Sequence, residues 1–214
     1  MCGRFGFVIP KAQAVEYFQL VDADYEPRRN LAPTMDIPGI VQTDAGRVLR
    51  RFHWGLVPFW AKDRKMAAKM INARSETVAG KPAFRAAFKK RRCLIPATCF
   101  YEWQKLDARR KQPFALMMAD GAPFAMAGLW EVWDDPDSGT PLHSATILTT
   151  EANALVAPIH DRMPVILPPD SWAQWLDPAA DAAALAPLLA PFPAEGMRQE
   201  AVGMGVNKAG NEEF

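Results

Sequence analysis

The chain has no long apolar run and few cysteines. None of its 214 residues lie in a stretch like the roughly eighteen or more apolar residues of a membrane span, and the N-terminus lacks the apolar core of a signal peptide. We therefore expect a cytoplasmic protein without membrane segments. Its three cysteines, Cys2, Cys93 and Cys99, have no zinc or redox spacing, which fits a reducing compartment. No metal-binding cluster or phosphate-cradling glycine loop appears, so we expect no metal and no cofactor.

The formal net charge is only +1, but the charge is unevenly distributed along the chain. Residues 47–111 contain eighteen Lys and Arg against four Asp and Glu, and the remainder contains seven against twenty. This asymmetry indicates a basic surface on an acidic body, which is typical of proteins that bind nucleic acid. Solvated loops and helix faces explain the same pattern equally well.

Short elements with ordinary globular composition favour an α+β fold. "KAQAVEYFQL" and "KPAFRAAFKKRR" have helical spacing, and "EANALVAPI", "PDSWAQWLD" and "DAAALAPLLA" also read as short helices. "DIPGIVQTDAGRVLRRFHWGLV" predicts a hairpin around "DAG", and further strand-like runs follow between residues 93 and 150 and in "MPVIL". We expect one domain over residues 1–214, with a curved, mostly antiparallel, barrel-like sheet flanked by short helices.

Cys2 stands where removal of Met1 would give it a free α-amine. Such an amine has a pKa of roughly 7.7–8, so a useful fraction is neutral at cytosolic pH, and the adjacent thiol has a pKa of about 8.5 in free cysteine. The amine can form an imine with an aldehyde, and the thiol can then close a five-membered thiazolidine. Alternatively, the amine could be the base for the thiol, as in N-terminal-nucleophile hydrolases. An incidental second residue explains the position as well.

Three other residues carry groups that suit proton transfer and hydrogen bonding. Asn72 lies in "INARSET", Glu102 lies between two aromatic residues in "CFYEWQ", and His160 lies between two prolines in "PIHDRMPVIL". Aromatic neighbours can desolvate a carboxylate and raise its pKa. Each residue also has an ordinary explanation: a turn cap, an ion pair with a nearby arginine, or a satisfied loop histidine.

The sequence resembles the SRAP family, the SOS response-associated peptidases. The resemblance rests on motifs that run in family order along nearly the whole chain, although single pieces such as "NAR" or "HDR" are weak. They are "MCGRF", "RRNLAPT", "WGLVPFWAKD", "INARSET", "CLIPATCFYEW", "KQPFAL", "IHDRMPVIL" and, less closely, "VGMGVNKAG".

The resemblance implies a protein that recognises abasic sites in single-stranded DNA and crosslinks to their ring-opened aldehyde. Cys2 would be the nucleophile, Asn72 would hold the amine and the sugar, Glu102 would be the general acid and base, and His160 would help to open the sugar ring. His53 and His143 are expected to be structural. We also expect a monomer that associates with the nucleoid when bound to DNA.

The resemblance also implies a set of residues at the DNA groove. Cations can follow phosphates, while aromatic faces can stack on bases without choosing among them. Core packing is the alternative for each tryptophan, and Asn30 and Pro33 are expected to shape the loop that faces Cys2. The DNA-contact set is Arg4, Arg74, Arg162, Trp54, Trp60, Trp103, Asn30 and Pro33.

Two other functions are compatible with these residues. The family name points to a peptidase that uses Cys2 with support from Glu102 or His160, although self-processing would release only Met1. A single-stranded nucleic-acid binding module would use the basic groove without any chemistry at Cys2, and its binding would be salt-sensitive. A retained Met1 would block thiazolidine formation, and we expect its removal because cysteine is small.

Overall fold

The computed structural model describes residues 2–214, which form two β-sheets flanked by short helices. The strands are β1 Phe5–Phe7, β2 Leu20–Ala23, β3 Arg28–Leu31, β4 Asp36–Thr43, β5 Gly46–Trp54, β6 Asn72–Arg74, β7 Arg92–Ala97, β8 Cys99–Lys105, β9 Lys111–Met118, β10 Phe124–Asp134, β11 Pro141–Glu151, β12 Arg162–Pro164, β13 Ile166–Leu167 and β14 Met197–Ala201. The α-helices are α1 Lys11–Phe18, α2 Arg85–Lys90, α3 Trp172–Leu176 and α4 Ala182–Leu185. Short 3₁₀ helices span Arg64–Lys69, Pro169–Ser171, Ala186–Leu189, Ala194–Gly196 and Met204–Asn207.

The larger sheet closes into a ring. Its nine strands include the series β12-β11-β10-β7-β4-β5-β2, with β13 added on β10 and β6 added on β11. Because β5 also pairs with β11 in parallel, through His53–Ser144 and Trp54–Ala145, the strands β11, β10, β7, β4 and β5 form a closed barrel. The predicted α+β fold with a barrel-like, mostly antiparallel core is confirmed.

The smaller sheet has the strand order β14-β9-β8-β1-β3, and all its pairings are antiparallel. Because successive side chains of a strand point to opposite faces, this sheet has two different surfaces. Phe100 and Leu116 face the large cluster that also contains Cys2. Tyr101 and Ala115 face outward and pack with Val206 in the C-terminal segment. The chain end therefore covers the outer face of the sheet.

The hairpin predicted around "DAG" is confirmed, since β4 and β5 pair antiparallel from Asp36–His53 to Thr43–Gly46. The helices predicted around residues 11–20 and 81–92 are confirmed as α1 and α2, and those predicted around 169–177 and 181–190 begin as α3 and α4. "MPVIL" forms two short strands, β12 and β13, interrupted at Val165.

The helix predicted for "EANALVAPI" is wrong, because residues 154–159 form turns. Asn153 Oδ1 accepts hydrogen bonds from the backbone N–H groups of Leu155 and Val156, at 3.1 and 3.0 Å. The backbone then makes the helical bonds from Ala157 N to Asn153 O and from His160 N to Val156 O. Pro158 has no N–H, so a continuous ladder cannot form across it.

Among the described residues, no helix combines the length and the apolar character that a membrane crossing requires.

Candidate functional site

Cys2 lies three residues before the start of β1, the strand held between β3 and β8 in the smaller sheet. The ladder brings this end of the chain to β8, where Phe5 pairs with Phe100 and Tyr101 N donates to Arg4 O at 2.9 Å. The Cys2 side chain has no exposed surface. The strand pairing therefore places the second residue of the chain inside the molecule, beside the middle of β8.

The surroundings of Cys2 keep its thiol protonated. Burial raises the pKa of the Cys2 thiol, and the negative charge of Glu102 raises it further, while a backbone hydrogen bond from Arg4 acts in the opposite direction. A buried thiolate would lack solvation, so its neutral form is favoured. The sulfur becomes a strong nucleophile only when a neighbouring base takes its proton.

Glu102 is a buried carboxyl of β8, with only 3% of its surface exposed. Burial raises the pKa of Glu102 to about 7, the charge of Asp161 also raises it, and a backbone hydrogen bond from Trp103 lowers it. The group therefore titrates near neutral pH and can both accept and donate a proton there. The charge of Glu102 acts on the Cys2 thiol, so the fold brings these two predicted residues close to each other.

His160 ends the turn that precedes β12, and it is partly exposed. Its Nδ1 accepts a hydrogen bond from the Arg162 backbone N–H at 3.0 Å and also lies 2.9 Å from Asp161 Oδ1. Nδ1 can make only one of these contacts at a time, because it accepts from the Arg162 N–H only when unprotonated and donates to Asp161 only when it carries a proton. Burial lowers the pKa of His160, which favours the neutral ring, and the hydrogen bond that Nδ1 accepts from Arg162 then places the ring proton on Nε2.

Asn72 begins β6, which runs parallel to β11 with Asn72 opposite Ile147. Its Nδ2 makes a long hydrogen bond of 3.4 Å to Ile147 O. Its Oδ1 is buried and has no hydrogen-bond partner among the described residues. The fold thus attaches both Asn72 and the His160 turn to β11, and the coupling of Asp161 to Glu102 places that turn near β8.

The three predicted arginines have different surroundings. Arg74 is exposed at the end of β6. Arg4 is partly buried, donates from Nη1 to Asn30 Oδ1 at 2.9 Å, and stacks over the Trp103 ring at 5.9 Å. The Arg162 side chain is only 13% exposed and forms an ion pair with Glu76. Arg74 is therefore the arginine of this set that is already open to a phosphate.

The structure separates the three predicted tryptophans. Trp54 is completely buried and donates from Nε1 to Ile71 O, so in this structure it has no ring face for a base, and core packing describes it. Trp103 lies on the outer face of the smaller sheet, opposite to Glu102, and donates to Asn207 Oδ1 at 2.7 Å. Trp60 is 48% exposed, and the sequence reasoning missed its neighbour Phe59, which is 58% exposed. The two aromatic residues are adjacent in the motif "WGLVPFWAKD", so the sequence already placed Phe59 beside Trp60.

Asn30 and Pro33 do not play the same part. Asn30 is buried in β3, and its Nδ2 donates to the carbonyl oxygens of Val206, Lys208 and Asn211. The Asn30 amide anchors the C-terminal segment through Nδ2 and accepts from Arg4 through Oδ1, and a role in shaping the loop that faces Cys2 stays a prediction. Pro33 lies partly exposed in the connection between β3 and β4.

The surroundings of the two other histidines are consistent with structural roles. His53 is buried in β5, with Arg64 Nη2 3.4 Å from its Nδ1, and His143 stacks against Trp130 with 17° between the ring planes. Most cations of residues 47–111 are exposed, but Arg92 is buried and donates to the carbonyl groups of α2 and α3. The part of the chain that the structure describes contains no group of three or more His, Cys, Asp or Glu placed to hold a metal ion. The predicted removal of Met1 lies outside the described residues.

Comparison with known proteins identifies relatives over nearly the whole chain. The family model described as SOS response associated peptidase (SRAP) matches residues 1–209. The chain is 42% identical over 216 residues to the abasic site processing protein YoqW of Bacillus subtilis (strain 168), covering 99% of this chain and 96% of that protein. It is 35% identical over 187 residues to the abasic site processing protein HMCES of Xenopus tropicalis, covering 73% of this chain and 56% of that protein.

Solved structures show the same fold. A protein from Bacteroides thetaiotaomicron superposes with a TM-score of 0.89 at 28% identity, over 98% of this chain and 96% of that one. A protein from Bordetella bronchiseptica superposes with a TM-score of 0.83 at 29% identity, over 95% of this chain and all of the other.

Proposed function

Because this chain belongs to the SOS response associated peptidase family, we propose that it captures abasic sites in single-stranded DNA through a covalent bond to Cys2. The observation that carries the proposal concerns two buried groups. The charge of the Glu102 carboxyl, which titrates near neutral pH, acts on the Cys2 thiol. The name of the relative YoqW, an abasic site processing protein that matches 99% of this chain, supports the choice of substrate. In this proposal the chain acts as one domain and as a monomer.

The first half of the reaction uses the α-amine that Cys2 acquires when Met1 is removed. The neutral amine attacks the aldehyde carbon of the ring-opened abasic site, and a C–N bond forms. A proton moves from the nitrogen to the former carbonyl oxygen, which gives a carbinolamine. Protonated Glu102 then gives its proton to the hydroxyl group, which leaves as water, and a protonated imine remains beside the ionised carboxylate.

The second half uses the thiol of the same residue. Ionised Glu102 takes the thiol proton, the sulfur attacks the carbon of the protonated imine, and the five-membered thiazolidine closes with a neutral N–H. The net reaction converts an aldehyde and a cysteine into a thiazolidine and one water. A carboxyl with a pKa of about 7 suits both steps, because it exists in both protonation states at neutral pH.

Asn72 and His160 complete the assignment. The buried Asn72 Oδ1, which has no partner among the described residues, can accept a hydrogen bond from the amine or from a sugar hydroxyl. A neutral His160 with its proton on Nε2 can donate to the sugar ring oxygen as the ring opens. Arg74 and the exposed pair Phe59 and Trp60 offer a cation and stacking faces for the flanking strand.

The same surroundings do not favour a cysteine peptidase. Nucleophilic cysteines of such enzymes have a lowered thiol pKa and lie in electropositive, accessible positions. Burial and the charge of Glu102 act in the opposite direction on Cys2. An amine that reacts first and a thiol that follows fit this site better than a preformed thiolate.

Intact-mass spectrometry of protein without an N-terminal tag tests the proposal. We expect loss of Met1 and, after incubation with a single-stranded oligonucleotide carrying one abasic site, a stable adduct that maps to Cys2. The variant Cys2→Ser keeps the amine but lacks the thiol, so we expect an imine that borohydride traps and no stable adduct. Cys99→Ser is the matched control, with adduct formation within about twofold of the wild type, because Cys99 lies on the outer face of the sheet.

Two outcomes would contradict the proposal. A trimmed wild-type protein that forms no adduct would exclude covalent capture. A Cys2→Ser variant that forms the stable adduct as well as the wild type would exclude thiazolidine closure.

A further inference from the structure

Glu76 lies two residues after β6, in the same motif as Asn72, and it reaches across to the start of β12. Its carboxylate binds the Arg162 guanidinium through two hydrogen bonds, Nη1 to Oε1 at 2.5 Å and Nη2 to Oε2 at 3.0 Å. This bidentate geometry fixes the plane of the guanidinium as well as its position. The Arg162 hydrogen bonds lower the pKa of Glu76, which keeps the carboxylate ionised.

The pair is also tied to β11. Arg162 Nη2 donates to Thr149 O at 2.6 Å, and the same carbonyl oxygen accepts the backbone N–H of Ser75 at 2.9 Å. The Thr149 carbonyl therefore joins the segment after β6 to the beginning of β12. With 13% of the Arg162 side chain exposed, the guanidinium belongs to the edge of the sheet rather than to the solvent.

Arg162 connects this pair to His160 through its backbone. The Arg162 N–H donates to His160 Nδ1, and that hydrogen bond places the ring proton on Nε2. If Arg162 were released, Nδ1 would lose its fixed donor, while Asp161 Oδ1 would remain 2.9 Å away as a partner for a protonated Nδ1. The state of the imidazole thus depends on how firmly Arg162 is held.

We propose that Glu76 is a positioning residue of this site. It holds Arg162 in a bidentate ion pair, and Arg162 in turn fixes the orientation and tautomer of the His160 ring. The assignment rests on the proposed function for its effect on the reaction, but the effect on the imidazole is a property of the free protein. The competing interpretation is that Glu76 occupies the place of a DNA phosphate and inhibits binding until it is displaced. The contact of Arg162 with Thr149 O and its low exposure favour positioning.

A double-mutant cycle separates these interpretations. Glu76→Ala is expected to slow the initial rate of crosslinking by about 10- to 100-fold, the size that misplacement of a reacting group produces. Arg162→Ala is expected to slow it at least as much, and the double variant should match Arg162→Ala within about twofold, because Glu76 acts through Arg162. Glu76→Gln keeps one acceptor oxygen and should give an intermediate rate. The proposal would be overturned if the fold-losses of the two single variants multiplied in the double variant, or if Glu76→Ala reacted faster than the wild type.

Glu151→Ala is the matched control. Glu151 is the ladder partner of Arg162 on β11, is exposed, and has no ion pair within residues 2–214. Its removal takes the same charge from the same region without touching the guanidinium, so we expect a rate within about twofold of the wild type. An equal loss of rate in Glu151→Ala would mean that charge, rather than positioning, explains the effect of Glu76.

Nitrogen-15 spectra of the His160 ring in DNA-free protein supply a second readout. The wild type is expected to show an Nε2–H tautomer, and Glu76→Ala is expected to show averaged tautomers at matched folded content, checked by circular dichroism. An unchanged ring spectrum in Glu76→Ala and Glu76→Gln would contradict the proposal. If the wild-type chain forms no crosslink, the function proposed above fails, whereas this spectrum still tests the role of Glu76.

Discussion

At the scale of single residues, the pKa of Glu102 has a consequence for stability as well as for chemistry. Burial raises it from an ordinary value of 4.5 to about 7, so between these values the folded chain binds more protons than the unfolded chain. Stability therefore falls as the pH rises through this window, and the full cost is present above pH 7. The shift corresponds to about 3 kcal/mol at that limit.

Glu102→Gln should remove this cost. We expect the variant to be more stable than the wild type by up to about 3 kcal/mol at pH 8 and equal to it at pH 4, since the wild-type carboxyl is then protonated in both states. Urea unfolding at the two pH values measures the difference. An equal gain at both pH values for Glu102→Gln would refute the explanation.

At the scale of secondary-structure elements, Gly55 directly follows β5 and packs closely against a 3₁₀ helix. Its φ is +129°, and a Cβ atom would lie 2.5 Å from Ala67 O in the helix Arg64–Lys69. Gly55→Ala thus combines backbone strain with a clash against a main-chain oxygen. We expect a loss of at least about 2 kcal/mol in the free energy of unfolding, measured by urea denaturation.

Gly80→Ala provides the comparison for Gly55→Ala. A Cβ at Gly80 would meet only Thr77 O, at 3.9 Å. The substitution should change the free energy of unfolding by less than about 1 kcal/mol. Equal stability of the two variants would show that the contact with the 3₁₀ helix has no energetic weight.

Local patterns predicted the elements better than they predicted the site. The "DAG" hairpin and helix α1 follow from period and turn residues that act over a few positions. The segment 151–159 failed because Asn153 closes a side-chain turn and Pro158 cannot extend a helix. Asn153 and Pro158 are both visible in the sequence, but the helical spacing of the apolar residues in this segment favours a helix.

The site depended on information that the sequence pattern does not carry. The aromatic neighbours of Glu102 suggested a raised pKa, but Tyr101 and Trp103 lie on the opposite face of the sheet, and burial on the inner face is what raises it. Trp54, Trp60 and Trp103 look alike in the sequence, yet one is buried, one is exposed, and one faces away from Glu102. Which face a side chain occupies depends on strand register and on the closing of the sheets, and both are set by partners distant in the chain.

At the scale of the whole molecule, Asn30 joins the two ends of the chain. Its Oδ1 accepts from Arg4 Nη1, and its Nδ2 donates to carbonyl oxygens of residues 206–211. Asn30→Ala would leave these buried groups without partners, and we expect a loss of about 2–4 kcal/mol in stability. Hydrogen exchange measured by mass spectrometry should show faster exchange across residues 204–214.

Asn207→Ala tests whether that effect is specific to the anchor. It removes one exposed bond, from Trp103 Nε1 to Asn207 Oδ1, and should cost less than about 1 kcal/mol without faster exchange elsewhere in the segment. If exchange across residues 204–214 is the same in Asn30→Ala and in the wild type, the anchoring role of Asn30 is wrong.

The burial of Cys2 also sets an order of events during synthesis. Strand β1 can close only after β8, at Cys99–Lys105, has left the ribosome, and roughly 100 residues take about 5–20 s to translate. During that interval the beginning of the nascent chain is open to an aminopeptidase, whereas Cys2 in the finished fold has no exposed surface. A chain that folds before trimming would have its amine blocked at the moment the site forms. Under the function proposed above, the fraction of chains able to react would therefore be set by timing on the ribosome, before any damaged DNA is met.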